Sequence, residues 1–252
     1  MSTLAVLDAE RIKLSTTRSP LWSVLGAAVL GLGVAALQGW SAHAYSALPP
    51  EKAVLGVVAF GVPVLMLLAS MTMTGEYRSG LIRTTFLGTP NRLTVLAAKA
   101  IVSAAFSSLC AVVMVIAAVV VARLVAEPLV GVQLSLANPA TWRIAGGVAL
   151  YAALAAVLGV AVGALVRFAA GAVAVLLLWP LVAEPLLGNM PNSGPEVGPW
   201  LPFANMFRFL GVDWLFPTYV MPWGEVGSLV YFVVIVAVVF VAAAVVLNKR
   251  DA

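Results

Sequence analysis

Four stretches of the chain, Ala53 to Gly75, Ala100 to Ala122, Ile144 to Val166 and Val226 to Asn248, run for 23 residues each without a charged side chain. A fifth, Ser19 to Pro50, is longer. A helix rises about 1.5 Å per residue, so roughly 20 apolar residues cross a hydrocarbon core about 30 Å thick. Strands of a membrane barrel would alternate apolar and polar residues over about ten positions, and these runs do not alternate. Composition agrees with lipid as the solvent. Hydrophobic residues make up 63% of the chain, charged residues 10%, and the mean hydropathy is +1.08, whereas soluble domains carry about 25% charged residues.

A sixth run is shorter. Phe168 to Ala183 has 16 residues before Glu184, with Pro180 inside it and Pro185 just beyond. It spans if the helix is kinked or ends near Pro185, where Glu184 would reach the headgroups. The expected fold is therefore all-α and integral to the membrane, one domain over 1–252 with six transmembrane helices at 20–42, 53–75, 97–122, 144–166, 168–188 and 225–247. A basic cytoplasmic lead, 1–19, precedes the first helix, which continues too far to be a cleaved signal peptide.

An even number of spans puts both termini on one side, and the basic residues then divide unequally. Arg11, Lys13, Arg18, Arg78, Arg83, Arg92, Lys99, Arg167, Lys249 and Arg250 fall on the terminal side, against Lys52, Arg123, Arg143 and Arg208 on the other. That bias places the termini and the segment 76–92 in the cytoplasm of a bacterial plasma membrane. The pI of about 9.5 is accounted for by these anchors and their anionic lipids, and it gives no reason to expect nucleic acid as a partner.

Several chemistries lack their residues. The single cysteine, Cys110, excludes an intramolecular disulfide and a thiolate metal cluster. The single histidine, His43, stands near the outer end of the first span and suits an interfacial role. A Ser/His intramembrane protease would need a Gly-x-Ser-Gly setting and a later histidine, neither of which occurs. "NSG" at Asn192 to Gly194 reads as a turn. Ion-coupled carriers place Asp or Glu within the membrane, and only Glu184 comes close. None of Lys13, Lys52, Lys99 and Lys249 completes a phosphate-binding G-x-x-x-x-G-K-[ST] loop. The chain is thus expected to be no enzyme and to bind no cofactor or metal.

What remains is the segment "GEYRSGLIRTTFLGTPNR" after the second span. A helix is expected over Glu76 to Leu87, closed by Gly88 and Pro90, with Glu76 and Arg83 on one face. A bare connection needs only a few residues, so a charged helix here reads as a docking element. Arg11 or Arg18 of the lead is the expected partner for Glu76. In the outer segment 189–223, prolines and the aromatics Trp200, Phe203, Phe207, Phe209, Trp214, Phe216 and Tyr219 predict short interfacial helices. Ala155, Gly159 and Gly163, spaced by four, form a small-residue ridge suited to close helix packing within the subunit.

Three motifs carry a resemblance. "E-R-I-K-L-x-x-x-R-S-x-x-W" from Glu10 to Trp22, "T-G-E-Y-R-S-G-x-I-R-T-T" from Thr74 and "T-P-N-R-x-x-x-L-A-A-K" ending at Lys99 are similar to the membrane subunit of ABC-2 type transporters, in an actinobacterial style. Leu81 departs from a threonine often found after that glycine. The resemblance implies a permease paired with a second copy or a sister permease, and two separate ATP-binding subunits that carry ATP and Mg2+. It implies that Glu76, Tyr77, Arg78, Arg83 and Phe86 belong to a coupling helix seated in the ATPase. Glu10, Lys13 and Arg18 belong to the matching lead. The expected cargo is hydrophobic or amphipathic, an antibiotic, drug or lipid. A channel or scaffold without ATP coupling is the alternative.

The charge count makes a direct topological prediction. Cysteines placed at Ser79 and Ser193, in a background without Cys110, will react with a membrane-impermeant reagent from opposite sides. Labelling of both from outside intact cells would refute six spans.

Overall fold

The computed structural model describes residues 3–42, 48–213 and 216–249; His43, Trp214 and Arg250 lie outside them. All the regular structure among the described residues is helical. Helix α1 is Thr3–Thr16, and six further helices are long and apolar enough to cross a membrane: α2 Ser19–Ser41, α3 Val57–Ser79, α5 Arg92–Val125, α6 Pro139–Val166, α7 Ala169–Gly188 and α9 Glu225–Lys249. Between them lie the short α4, Leu81–Gly88, and α8, Pro202–Leu210. The chain folds as a multi-pass membrane protein.

Local chemistry sets the helix limits. The side chain of Asn91 accepts the amides of Leu93 and Thr94 and starts α5, and Asn138 does the same for Ala140 at the start of α6. Within α3, Pro63 has no N–H to offer Ala59, and the wider π-turn Val57–Gly61 lies directly before it. Gly80 ends α3 at φ 71°, a left-handed conformation that glycine adopts without strain. The single helix expected over Glu76 to Leu87 is therefore two: Glu76 closes the second span, and α4 starts anew after the glycine.

Helices α3 and α6 form the centre, and α2, α7 and α9 surround them with most of their surface facing away from the protein. Lipid tails are as apolar as leucine side chains, so close backbone approach must do much of the packing. The ridge Ala155, Gly159, Gly163 provides it. A β-carbon at Gly159 would collide with the Met66 carbonyl oxygen, and one at Gly163 would lie 2.7 Å from that of Ser70. The ridge thus meets α3 of the same chain.

Midway along α6, Tyr151 is fully buried and meets Phe203, Phe207 and Phe232 edge to face, with ring centroids 6.0–6.4 Å apart. The outer aromatics divide accordingly. Phe203 and Phe207 pack α8 onto the bundle, whereas Trp200 stays half-exposed against Trp223. Glu184 ties α8 down. Its carboxylate accepts the Trp179 indole N–H at 2.8 Å, the Phe203 amide at 2.9 Å and the Ala204 amide at 3.2 Å. A carboxylate is favoured at a helix N-terminus, where the first amides have no partner within the helix. Glu184 does not reach the headgroups as expected. Its helix passes Pro180 through a π-turn, Trp179–Ala183, and runs on past Pro185 to Gly188, leaving the carboxylate wholly buried.

Glu184→Ala strips an acceptor from two amides and an indole, and each buried unsatisfied group costs about 1–3 kcal/mol. The melting temperature of the purified protein will fall, more for alanine than for glutamine, and proteolysis between Gly188 and Glu225 will accelerate. Identical melting of Glu184→Ala and wild type would remove this role.

Candidate functional site

The terminal end of the bundle gathers the charges that the sequence scatters. Glu10 lies on α1, Glu76 on the last turns of α3, and Lys99 two turns into α5. The Lys99 side chain is 1% exposed, and its Nζ donates to Glu10 Oε2 and Glu76 Oε1, both at 2.7 Å. Lys13, half-exposed, donates to Glu10 Oε1 and the same Glu76 Oε1, both at 2.8 Å. The remaining Glu76 oxygen accepts the Thr85 hydroxyl of α4 at 3.3 Å. Two carboxylates and two ammoniums thus form a closed, neutral ring of hydrogen bonds. Burying a charge is tolerable only when it is paired and hydrogen-bonded in this way. Burial works against the charge of Lys13, but hydrogen bonds and attraction from Glu10 and Glu76 outweigh it and hold the Lys13 pKa above the ordinary lysine value.

Glu76 pairs with Lys13 and Lys99, not with Arg11 or Arg18 as expected. Arg11 faces outward to Asp8 at 3.5 Å, and Arg18 is exposed. Lys13 sits two residues beyond Arg11, about 200° around the helix, and so reaches the interior. Lys99, which the sequence reading treats only as an anchor at membrane re-entry, is the centre of the cluster. Its signal was position: a lysine directly before the uncharged run Ala100 to Ala122 has no water-filled exit once a neighbouring helix covers it.

The other residues of the coupling segment fall into two groups. Tyr77 is half-buried with the Arg167 guanidinium 5.1 Å above its ring, and Phe86 is buried with Arg92 5.1 Å above it. Arg92 also donates to the Leu247 carbonyl at 2.8 Å, which brings the end of α9 to the same place. Arg78 and Arg83 are exposed. Arg83 and Glu76 do not share a helix face, because Gly80 separates their helices. Helix α4 buries Ile82 and Phe86 and turns Leu81 and Leu87, 56% and 82% exposed, outward. Among the described residues, no group of three His, Cys, Asp or Glu side chains could hold a metal ion. Compared with known proteins, the chain matches no protein-family model and no curated sequence.

Removing one member of a buried ion pair costs about 3–5 kcal/mol, since its partner is left uncompensated. Lys99→Met will therefore destabilise the purified protein strongly, and adding Glu10→Gln will recover part of the loss by restoring neutrality. A double-mutant cycle on unfolding measures this coupling. Simple additivity of the two changes would show that the ring is not one unit.

Proposed function

We propose that the chain is the membrane-spanning subunit of an ATP-driven exporter of the ABC-2 type. It forms the translocation path for a hydrophobic or amphipathic cargo and couples to a separate ATP-binding subunit that docks on α4. The observation that carries this reading is α4. It is anchored inward by Ile82 and Phe86 and presents Leu81, Arg83 and Leu87 outward at the basic end of the bundle. Arginine is among the residues enriched in binding hot spots, and Arg83 stands exposed on the same short helix as two exposed leucines. The three motifs shared with ABC-2 membrane subunits coincide with this end: Glu10 and Lys13, Glu76, and Lys99 are drawn from all three.

In this reading both termini and α4 are cytoplasmic, a second copy or sister permease completes the path, and two ATP-binding subunits carry ATP and Mg2+. Force from the motor enters through α4. Gly80 breaks the helix, so α4 and α3 do not act as one continuous lever; the push passes through Ile82, Phe86 and the Thr85–Glu76 hydrogen bond. Hydrophobic cargo is favoured by the rarity of unpaired charge within the spans.

The test is co-purification with a co-expressed cognate ATP-binding subunit. The chain alone will hydrolyse no ATP, and the complex will. Arg83→Ala and Glu76→Ala will leave the chain inserted but weaken complex formation by about tenfold, on the order of 1.4 kcal/mol, or uncouple hydrolysis from transport. Arg123→Ala, at the other end, will do neither. Wild-type complex formation and transport in both variants would reduce the segment to a topology-fixing loop.

A further inference from the structure

Beside the charge ring, α1, α3, α4 and α5 enclose an open cleft of about 480 Å³, within the roughly 300–1,000 Å³ of small-molecule sites. Its wall is divided. Leu68 and Met71 of α3 and Val102 of α5, all within spans, form an apolar side, and Thr17, Ser19 and Thr72 supply hydroxyls toward the terminal end. Five charged residues line it: Glu10, Glu76, Lys13, Lys99 and Arg78. The first four neutralise one another within the ring. Arg78 is left over, its side chain in no hydrogen bond or ion pair among the described residues, and half-exposed Lys13 keeps a third N–H beyond the two it gives to carboxylates. The cleft therefore carries one uncompensated positive charge at its polar mouth and an apolar floor that continues along the membrane helices.

We propose that this cleft is a binding site for an anionic phosphate-headed membrane lipid, with the headgroup at Arg78 and Lys13 and an acyl chain along Leu68, Met71 and Val102. Charge complementarity selects the class. A zwitterionic headgroup would bring its own ammonium to a site that already holds one positive charge too many. A soluble phosphate would leave the apolar floor unfilled. Each basic residue near an anionic membrane surface contributes about 1 kcal/mol, or about fivefold in affinity. The cleft is built from this chain's own helices and needs no docked motor, so its test uses the chain without any ATP-binding subunit.

The purified chain in detergent is titrated with phosphatidylglycerol or phosphatidylcholine, and the lipid retained is counted by native mass spectrometry. Wild type will retain phosphatidylglycerol about fivefold better. Arg78→Glu will abolish that preference, while Arg83→Glu, an exposed cation outside the cleft, will preserve it. Met71→Trp, which fills the apolar floor, will lower retention of phosphatidylglycerol while melting stays within a few degrees of wild type. Millimolar glycerol phosphate will not displace the lipid. The site is overturned by equal retention of the two lipids, by equal effects of Arg78→Glu and Arg83→Glu, by undiminished retention in Met71→Trp, or by displacement with glycerol phosphate.

Discussion

One buried ammonium organises the terminal end of this protein. Lys99 has no exposed surface through which to reach water, so it is stable only while Glu10 and Glu76 are both within 2.7 Å. That requirement draws three segments distant in sequence to one point: the lead helix, the end of the second span and the start of the third. Helix α1 depends on it most, because Val6 and Glu10 are the only residues it buries. Without the ring it would be held on the bundle by Val6 and the partly buried Ala5, Leu7, Ala9 and Leu14 alone. The ring also settles which cations remain available, since Lys99 and most of Lys13 are consumed while Arg78 and Arg83 have no ion-pair partner among the described residues.

Lipid offers little reward for joining apolar surfaces, so specificity along the bundle has to come from elsewhere. Along the terminal-side half of α6 it comes from Gly159 and Gly163 against the α3 backbone. At the two ends it comes from buried carboxylates, used in different ways. Glu76 is matched by full opposite charges, whereas Glu184 is matched by amide dipoles and an indole. The first arrangement locks side chains that long stems could otherwise move. The second locks the backbone of a short helix, α8, whose apolar face alone would allow it to slide over Tyr151 and Phe232.

Much of this was legible in the residues. Uncharged runs of 23 residues leave a chain few options in a bilayer, and the small-residue spacing at Ala155, Gly159 and Gly163 marks a close-packed face whichever helix it meets. The importance of Glu76 was legible from its place at a membrane junction. Its partners were not, because Arg11 and Lys13 differ by only two positions and which one faces inward depends on how α1 is rotated, a tertiary choice. Lys99 was missed because a lysine near a helix start ordinarily reaches the headgroups. Gly80 was read over as part of a helix, although a glycine between "EYRS" and "LIRTT" is the one residue there that takes a left-handed turn at no steric cost.

The π-turn at Trp179–Ala183 has a consequence of its own. A π-turn accommodates one extra residue, and one residue is about 100° of rotation in an α-helix. Everything after Ala183 in α7 is therefore out of phase with everything before it. Ala172 and Leu176 face the bundle by one angular register, and Glu184 and Gly188 face it by another. The inward direction of Glu184 is thus set by the count of residues in the turn as well as by its contacts, and the same sequence wound as an unbroken α-helix would swing the carboxylate about 100° around the axis, away from the amides of α8.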